Sequence, residues 1–358
     1  MKNDSEKIWA ALNDETKRVV VQVAPAVRVA LGEEFGFEAG SNVMDKIVPA
    51  LRHLGFDEIF DTSVGADLTV MEESKEFLER LEKGDNLPLF TSCCPAWVRY
   101  AETKHKDMLG HVSTCRSPQQ MFGAVIKEHY KHIDEIDGKE TISVAIMPCT
   151  AKKHEAGRSE FQREGIPDVD YVITTQEIAM MIKESGLVFS ELEAEATDMP
   201  FGLASGAGVI FGVTGGVTEA VVRRIAQDKT VAGLQQIAFT GVRGMAGLKE
   251  ATIPYGEKEI KIAIVSGLGN ADQLIRKIKA GEVHYDLVEV MACPGGCISG
   301  GGQPFALKAA QTERGKGLYR SDKLSQIKRS EENPMIMALY NGLLKGKTKE
   351  LLHVHYEK

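Results

Sequence analysis

The chain has 358 residues, 43% of them hydrophobic, and a net charge of -8, enough apolar content for one large domain or two ordinary ones. The acidic balance speaks against a nucleic-acid-binding surface, and no apolar run approaches the roughly 20 residues that cross a bilayer. The first residues, Met1-Lys-Asn-Asp-Ser-Glu-Lys7, lack the apolar stretch of a secretory signal. A cytoplasmic location is therefore expected, where clustered cysteines are metal-binding or catalytic rather than disulfide-bonded.

In chain order, the β-branched run Val19 to Val23 leads through Ala24-Pro25-Ala26 into a helix-like stretch that reaches Phe35. Glu73, Glu76 and Arg80 fall at helical spacing on one face and, taken alone, read as a solvated charged face. Leu87 to Phe90 leads into Thr91-Ser-Cys-Cys-Pro-Ala-Trp97, and Ile142 to Met147 into Pro148-Cys-Thr-Ala-Lys-Lys-His-Glu155. The acidic, Ala-rich segment Glu191 to Asp198 reads as a surface connection. The glycines from Gly206 to Gly216 permit close approach to a cofactor or close helix packing. Ile260 to Val265 leads into Gly267-Leu-Gly-Asn-Ala, a tight strand-to-helix turn, since the dinucleotide fingerprint is incomplete. Leu287 to Val290 leads into Met291-Ala-Cys-Pro-Gly-Gly-Cys-Ile-Ser-Gly-Gly-Gly-Gln-Pro304. Lys345, Lys347 and Lys349 form a solvated run that could dock an acidic electron carrier, and His353 and His355 read as packing or surface residues. Short β-branched runs alternating with helical patterns indicate an α/β fold with largely parallel strands, in two sheets or one wide one.

Five of the six cysteines lie in the three loops that follow strand-like runs, and loops at the carboxyl ends of strands are where ligands collect in α/β folds. A convergent thiolate site follows, with an iron–sulfur cluster as its expected occupant. A cubane takes four cysteines. Cys293 and Cys297, separated by Pro-Gly-Gly, can wrap closely around a bulky inorganic group, and Cys149 supplies a third thiolate. The fourth comes from Cys93-Cys94. Neighbouring side chains of an extended segment point to opposite faces, so one of these two ligates and the other keeps a free thiol. Zinc is the competing reading, but only Cys293 and Cys297 have the spacing of a zinc pair; a cluster used for electron transfer alone is another. Cys115 has no companion and reads as a small buried residue.

At these residues the chain resembles the catalytic domain of [FeFe]-hydrogenases, the H-domain. The resemblance extends to Val23-Ala-Pro-Ala-Val-Arg-Val-Ala30, Ser117-Pro-Gln-Gln-Met-Phe-Gly123, Gly206-Ala-Gly-Val-Ile-Phe-Gly-Val-Thr-Gly-Gly216, Glu332-Asn-Pro334 and Leu351-Leu-His-Val-His-Tyr356, and so covers essentially the whole chain. It implies one two-lobed α/β H-domain over 1–358, with 1–18 as an N-terminal extension, mainly parallel sheets flanked by helices, and a cofactor buried between the lobes. The activity implied is reversible reduction of protons to H2 at an H-cluster. That group is a [4Fe-4S] cubane joined through a cysteine sulfur to a two-iron unit bearing CO, cyanide and an azadithiolate.

Carried over by position, Cys94, Cys149, Cys293 and Cys297 ligate the cubane, Cys297 bridges to the two-iron unit, and Cys93 is the free thiol that passes protons. Lys152 would bond a cyanide. Pro118, Gln119, Met147, Phe211 and Met291 would wall the pocket, with the Ala24-Pro25 backbone near the other cyanide. The implied proton relay runs from Cys93 through Glu73, Ser113 and Glu76 to Arg80. Residues 1–18 contain no cysteine, so the expected electron source is a separate soluble carrier, a ferredoxin, and maturation proteins would insert the two-iron unit. Ala96 and His154 stand where the family commonly has Gly and an aromatic. The alternatives are an iron–sulfur assembly relative, which the intact Cys93 and Lys152 oppose, and an H2-sensing regulator, which the intact relay thiol opposes.

Overall fold

The computed structural model describes residues 4–237 and 241–356. Ten strands occur in chain order: β1 (Lys17–Val23), β2 (Glu58–Asp61), β3 (Leu89–Phe90), β4 (Glu140–Met147), β5 (Gln162–Arg163), β6 (Ile166–Pro167), β7 (Tyr171–Thr174), β8 (Leu248–Tyr255), β9 (Lys258–Ser266) and β10 (Leu287–Met291). They build two four-stranded sheets, ordered β2-β1-β4-β7 and β3-β10-β9-β8, and β5 and β6 form a small hairpin. The first sheet is wholly parallel. In the second only β8 runs antiparallel, against β9.

Sequence explains which strands are central. Val19, Val20, Val21 and Val23 of β1 are all buried, as are Leu287 to Met291 of β10; such continuously buried, mostly apolar runs, broken only by Gln22 and Glu289, suit parallel strands covered on both faces. By contrast β8 buries alternate residues, Lys249, Ala251 and Ile253, which suits an antiparallel strand at a sheet edge. The helix Ser63–Lys83 follows β2 and packs against the helices Pro118–Asp137 and Gly216–Ile225. Part of the glycine-rich segment serves this packing: a Cβ on Gly208 would lie 2.3 Å from the Ser63 carbonyl oxygen.

Two expectations change. The stretch after β1 is not α-helical to Phe35: it makes turns and then a 3-10 helix, Leu31–Phe35. Val27 and Val29 are poor helix formers and Pro25 lacks an N–H, while burial of Ala24 to Leu31 holds the irregular path in place. The run expected from Leu87 shortens to Leu89–Phe90, because Pro88 has no N–H for a ladder. The acidic connection around Glu191 to Asp198 is largely exposed, as expected, but it is pinned: Asp198 accepts from the Ile59 N–H at 2.8 Å and from Arg52 at 3.1 Å. Gly267 is the expected tight turn, with φ +91° before the helix Leu268–Lys279. Among the described residues, no helix is long and apolar enough to cross a membrane.

Candidate functional site

Strands β1 and β4 of one sheet and β3 and β10 of the other send the loops at their carboxyl ends into one cavity. Its wall comprises Ala24, Pro25 and Ala26 after β1, Cys93 to Ala96 after β3, Met147 to Cys149 with Lys152 after β4, and Met291 to Cys293, Gly296, Cys297 and Gly300 after β10. Pro118 and Gln119 open the helix Pro118–Asp137, and Phe211 closes another side. Five cysteines and all eight expected pocket residues therefore meet at one place. The space open to the centre of a water-sized sphere is about 90 Å³, several times the roughly 10–15 Å³ that one water needs on this measure. Thr62 and Ala66, not singled out from sequence, also line it.

The loops are locked together by backbone contacts that only glycine permits. A Cβ on Gly300 would sit 2.1 Å from the Pro148 carbonyl oxygen, and one on Gly296 would sit 2.6 Å from the Thr214 nitrogen. Gly296 also has φ +96°, a conformation that L side chains rarely adopt. The two members of the cysteine pair differ, as alternation requires. Cys94 Sγ accepts the Ala292 N–H at 3.4 Å, facing the third loop. Cys93 is packed among Ala66, Val70, Phe211 and Met291. Burial pushes the thiols of Cys149, Cys293 and Cys297 up, Cys293 to about 12. Such thiols become thiolates only where a cation replaces the proton.

One charged side chain enters this apolar wall. Lys152 Nζ donates to Glu155 at 2.8 Å and to the Cys93 carbonyl at 3.2 Å. Burial pulls the ammonium down, but the charge and hydrogen bond of Glu155 outweigh it and hold Lys152 above its ordinary range. Glu155 also accepts from Ser117 Oγ at 2.9 Å and Gln119 Nε2 at 3.2 Å. Glu155 was missed from sequence, although Lys152 and Glu155 lie one helical turn apart in Ala151–Ala156. The buried Gln119 Oε1 has no partner. Four half-buried thiols, an ammonium and a spare carbonyl around an apolar cavity fit a cubane extended by a polar-ligated metal unit. His154 is exposed and away from the wall, whereas Ala96 is part of it.

The expected relay is laid out along the helix Ser63–Lys83, and its outer half is closed. Ser113 Oγ donates to Glu76 Oε2 at 3.0 Å, and Arg80 Nη2 donates to Glu76 Oε1 at 2.5 Å. Arg80 also donates to the carbonyls of Asn86, Gly110, His111 and Val112. The inner half is open: Glu73 is fully buried, and among the described residues neither carboxyl oxygen has a hydrogen-bond partner. Burial and then the Glu76 charge push Glu73 up to about 8, while Ser113 and the Ser92 N–H pull weakly the other way without reaching hydrogen-bond geometry. Burial and then Glu73 likewise raise the Cys93 thiol. The charged face read from sequence is thus largely buried.

Beyond the relay, sequence reading also missed Thr114, and it took His353 for a packing or surface residue. Thr114 Oγ1 donates to Glu76 at 3.1 Å and lies 2.9 Å from His353 Nδ1; His353 Nε2 lies 3.0 Å from Glu72. His355 is exposed. Cys115 is fully buried, as expected, with its thiol 3.8 Å from Glu76. Lys347, in the lysine run, pairs with Glu128 at 2.5 Å.

Comparison with known proteins decides the family. Residues 17–301 match the model described as iron only hydrogenase large subunit, C-terminal domain, and residues 308–358 match that of the iron hydrogenase small subunit. The chain belongs to the iron-only hydrogenase family. It is 46% identical over 370 residues to NADP-reducing hydrogenase subunit HndD of Solidesulfovibrio fructosivorans, covering 99% of this chain and 63% of that protein. It is 40% identical over 367 residues to iron hydrogenase 1 of Clostridium pasteurianum, covering 100% of this chain and 64% of that protein. The chain thus spans under two thirds of the length of these two relatives. Cytosolic iron-sulfur assembly component 3 of Rattus norvegicus is 33% identical, covering 99% of this chain and 76% of that protein. The solved structure of [FeFe]-hydrogenase HydA1 from Chlamydomonas reinhardtii superposes with a TM-score of 0.82 at 38% identity, covering 99% of each chain. The α/β architecture with mainly parallel sheets, which the family resemblance implied, matches that of these hydrogenase structures.

Proposed function

We propose that this iron-only hydrogenase family member catalyses reversible reduction of protons to H2 at an H-cluster, as one H-domain in the cytoplasm. The observation that carries the reading is the single cavity on which five cysteines and Lys152 converge, with the buried acid Glu73 behind it, close enough to raise the Cys93 thiol. In this reading Cys94, Cys149, Cys293 and Cys297 hold the cubane, and Cys297 also carries the two-iron unit with its CO, cyanide and azadithiolate ligands. When bound, the cofactor supplies the redox chemistry; the chain supplies ligation, desolvation and proton delivery.

Lys152, its position fixed by Glu155, would donate a charge-assisted hydrogen bond to a cyanide of that group. Met147, Phe211, Pro118 and Met291 exclude water, and Gln119 offers a spare acceptor. Cys93 gives or takes a proton at its sulfur. Glu73 reloads it after a side-chain turn that also reaches Ser113, and Glu76 and Arg80 complete the path outward. Electrons come from a soluble carrier, a ferredoxin.

The test is infrared spectroscopy after maturation, with H2 turnover measured in parallel. Bands of CO and cyanide together with turnover support the proposal. A cubane without those bands after maturation would identify an iron–sulfur assembly role, and bands with negligible turnover a sensor.

A further inference from the structure

We propose that Glu76 is loaded with protons through a second arm, in which His353 and Glu72 deliver to it by way of the Thr114 hydroxyl. The inference rests on the proposed function. Thr114 Oγ1 stands between the two titrating groups, 3.1 Å from Glu76 Oε2 and 2.9 Å from His353 Nδ1. A hydroxyl has one proton and can accept another. A proton leaves His353 Nδ1 for Thr114 Oγ1 while the Thr114 proton moves to Glu76 Oε2. The imidazolium becomes neutral, the carboxylate becomes a carboxylic acid, and the net charge of the pair is unchanged.

The far side of the ring is built for reloading. His353 Nε2 lies 3.0 Å from Glu72 Oε2, and Tyr340 donates its hydroxyl proton to Glu72 Oε1 at 2.5 Å. A carboxylate on one nitrogen and a hydroxyl oxygen on the other suit a ring that is protonated on both. Glu72, Glu76, Thr114 and His353 also line one open cleft with about 630 Å³ accessible to water, so the arm reaches solvent. The backbone holds the ring in register: Val354 N donates to Thr114 O at 2.7 Å, and Arg116 Nε donates to His353 O at 3.0 Å. The other charged or titratable groups around His353 are Lys75, Glu79, Arg80 and Lys83 of the helix Ser63–Lys83, Asp85 just after it, and Cys115 of the loop it pairs with. Its own segment contributes Lys349 and His355.

The test compares mature protein with its Thr114→Val and His353→Gln variants in H2 evolution against pH. Valine keeps the shape of threonine and the Thr114 N–H bond to Glu76, so the site stays assembled. Histidine is the side chain whose charge changes between about pH 5 and 8. At about pH 6 each variant is expected to turn over roughly tenfold more slowly, less than the roughly 10²-fold loss of an indispensable proton-transfer group because the Arg80 end remains. At about pH 8.5 the expected difference is under about twofold. Wild-type rates at every pH, or an equal loss at every pH, would overturn the proposal.

A second measurement needs no turnover. The ring ¹⁵N shifts of His353, followed against pH in protein without the two-iron unit, are expected to change tautomer pattern and midpoint in Thr114→Val; unchanged shifts overturn the arm. Absence of H2 turnover in mature wild type would sink the functional reading instead, and the ¹⁵N titration would still decide whether His353 and Glu76 are coupled.

Discussion

Glu73 is a carboxyl group that its surroundings keep protonated, and this has a signed consequence for stability. Raised from 4.5 to about 8 by burial, it holds a proton in the folded chain that the unfolded chain releases across that interval. Stability contributed by the neutral form is therefore present below about pH 4.5 and lost as pH rises toward 8. Chemical denaturation at pH 5 and pH 9 should show wild type losing up to a few kcal/mol more than Glu73→Gln, on the order expected for a shift of this size. In the mature protein the same substitution should leave the CO and cyanide bands in place while turnover falls by about 10²-fold or more. Cys93→Ala should likewise assemble the cofactor and lose at least that much activity, because no water easily replaces the thiol in an apolar pocket. Cys149→Ala should instead lose bound iron, which iron analysis would detect; full iron content would remove Cys149 from the ligand set.

At the scale of elements, the three cysteine loops were legible because each follows a short apolar strand, and β3, β4 and β10 all deliver them at carboxyl ends. Strand alternation predicts different settings for Cys93 and Cys94; both line the same cavity, and of the two only Cys93 is buried. Burial of Glu76 and Arg80 was not, because it depends on carbonyls of residues 86 and 110–112 that come near only in the folded chain. The role of His353 was hidden for the same reason: its partners Thr114 and Glu72 lie 239 and 281 positions away. The path after β1 was misread because periodicity reports burial but cannot distinguish a helix from buried turns. Loop contact gives its own prediction. Gly300→Ala places a methyl against the Pro148 carbonyl and should cost about 1–3 kcal/mol and lower iron content, since it pushes the Cys297 and Cys149 loops apart. Gly301→Ala, which meets nothing within 4 Å, serves as its control in thermal melts.

Across the whole molecule, the candidate ligands come from both sheets: Cys149 follows β4, and Cys94, Cys293 and Cys297 follow β3 and β10. A cluster bound there ties the two sheets, and a group that binds only the folded state stabilises it, by about 2.7 kcal/mol at a 100-fold excess over its dissociation constant. Anaerobic reconstitution of the cubane should raise the melting temperature by several degrees, and chelation should reverse it. Equal melting curves with and without iron would mean that no cluster spans the sheets. Strand order adds a consequence for how the molecule is made. All strands of the first sheet lie within residues 17–174, whereas β3, at 89–90, must wait for β10, at 287–291. At the roughly 5–20 residues per second of protein synthesis, this interval lasts on the order of ten seconds. Through that time the ribosome carries a chain whose Cys149 is already mounted on its sheet while Cys93 and Cys94 have no strand to hold them. The candidate metal site is complete only after Cys297, which follows β10, has been made, so a cluster held there would be loaded after that point and not before.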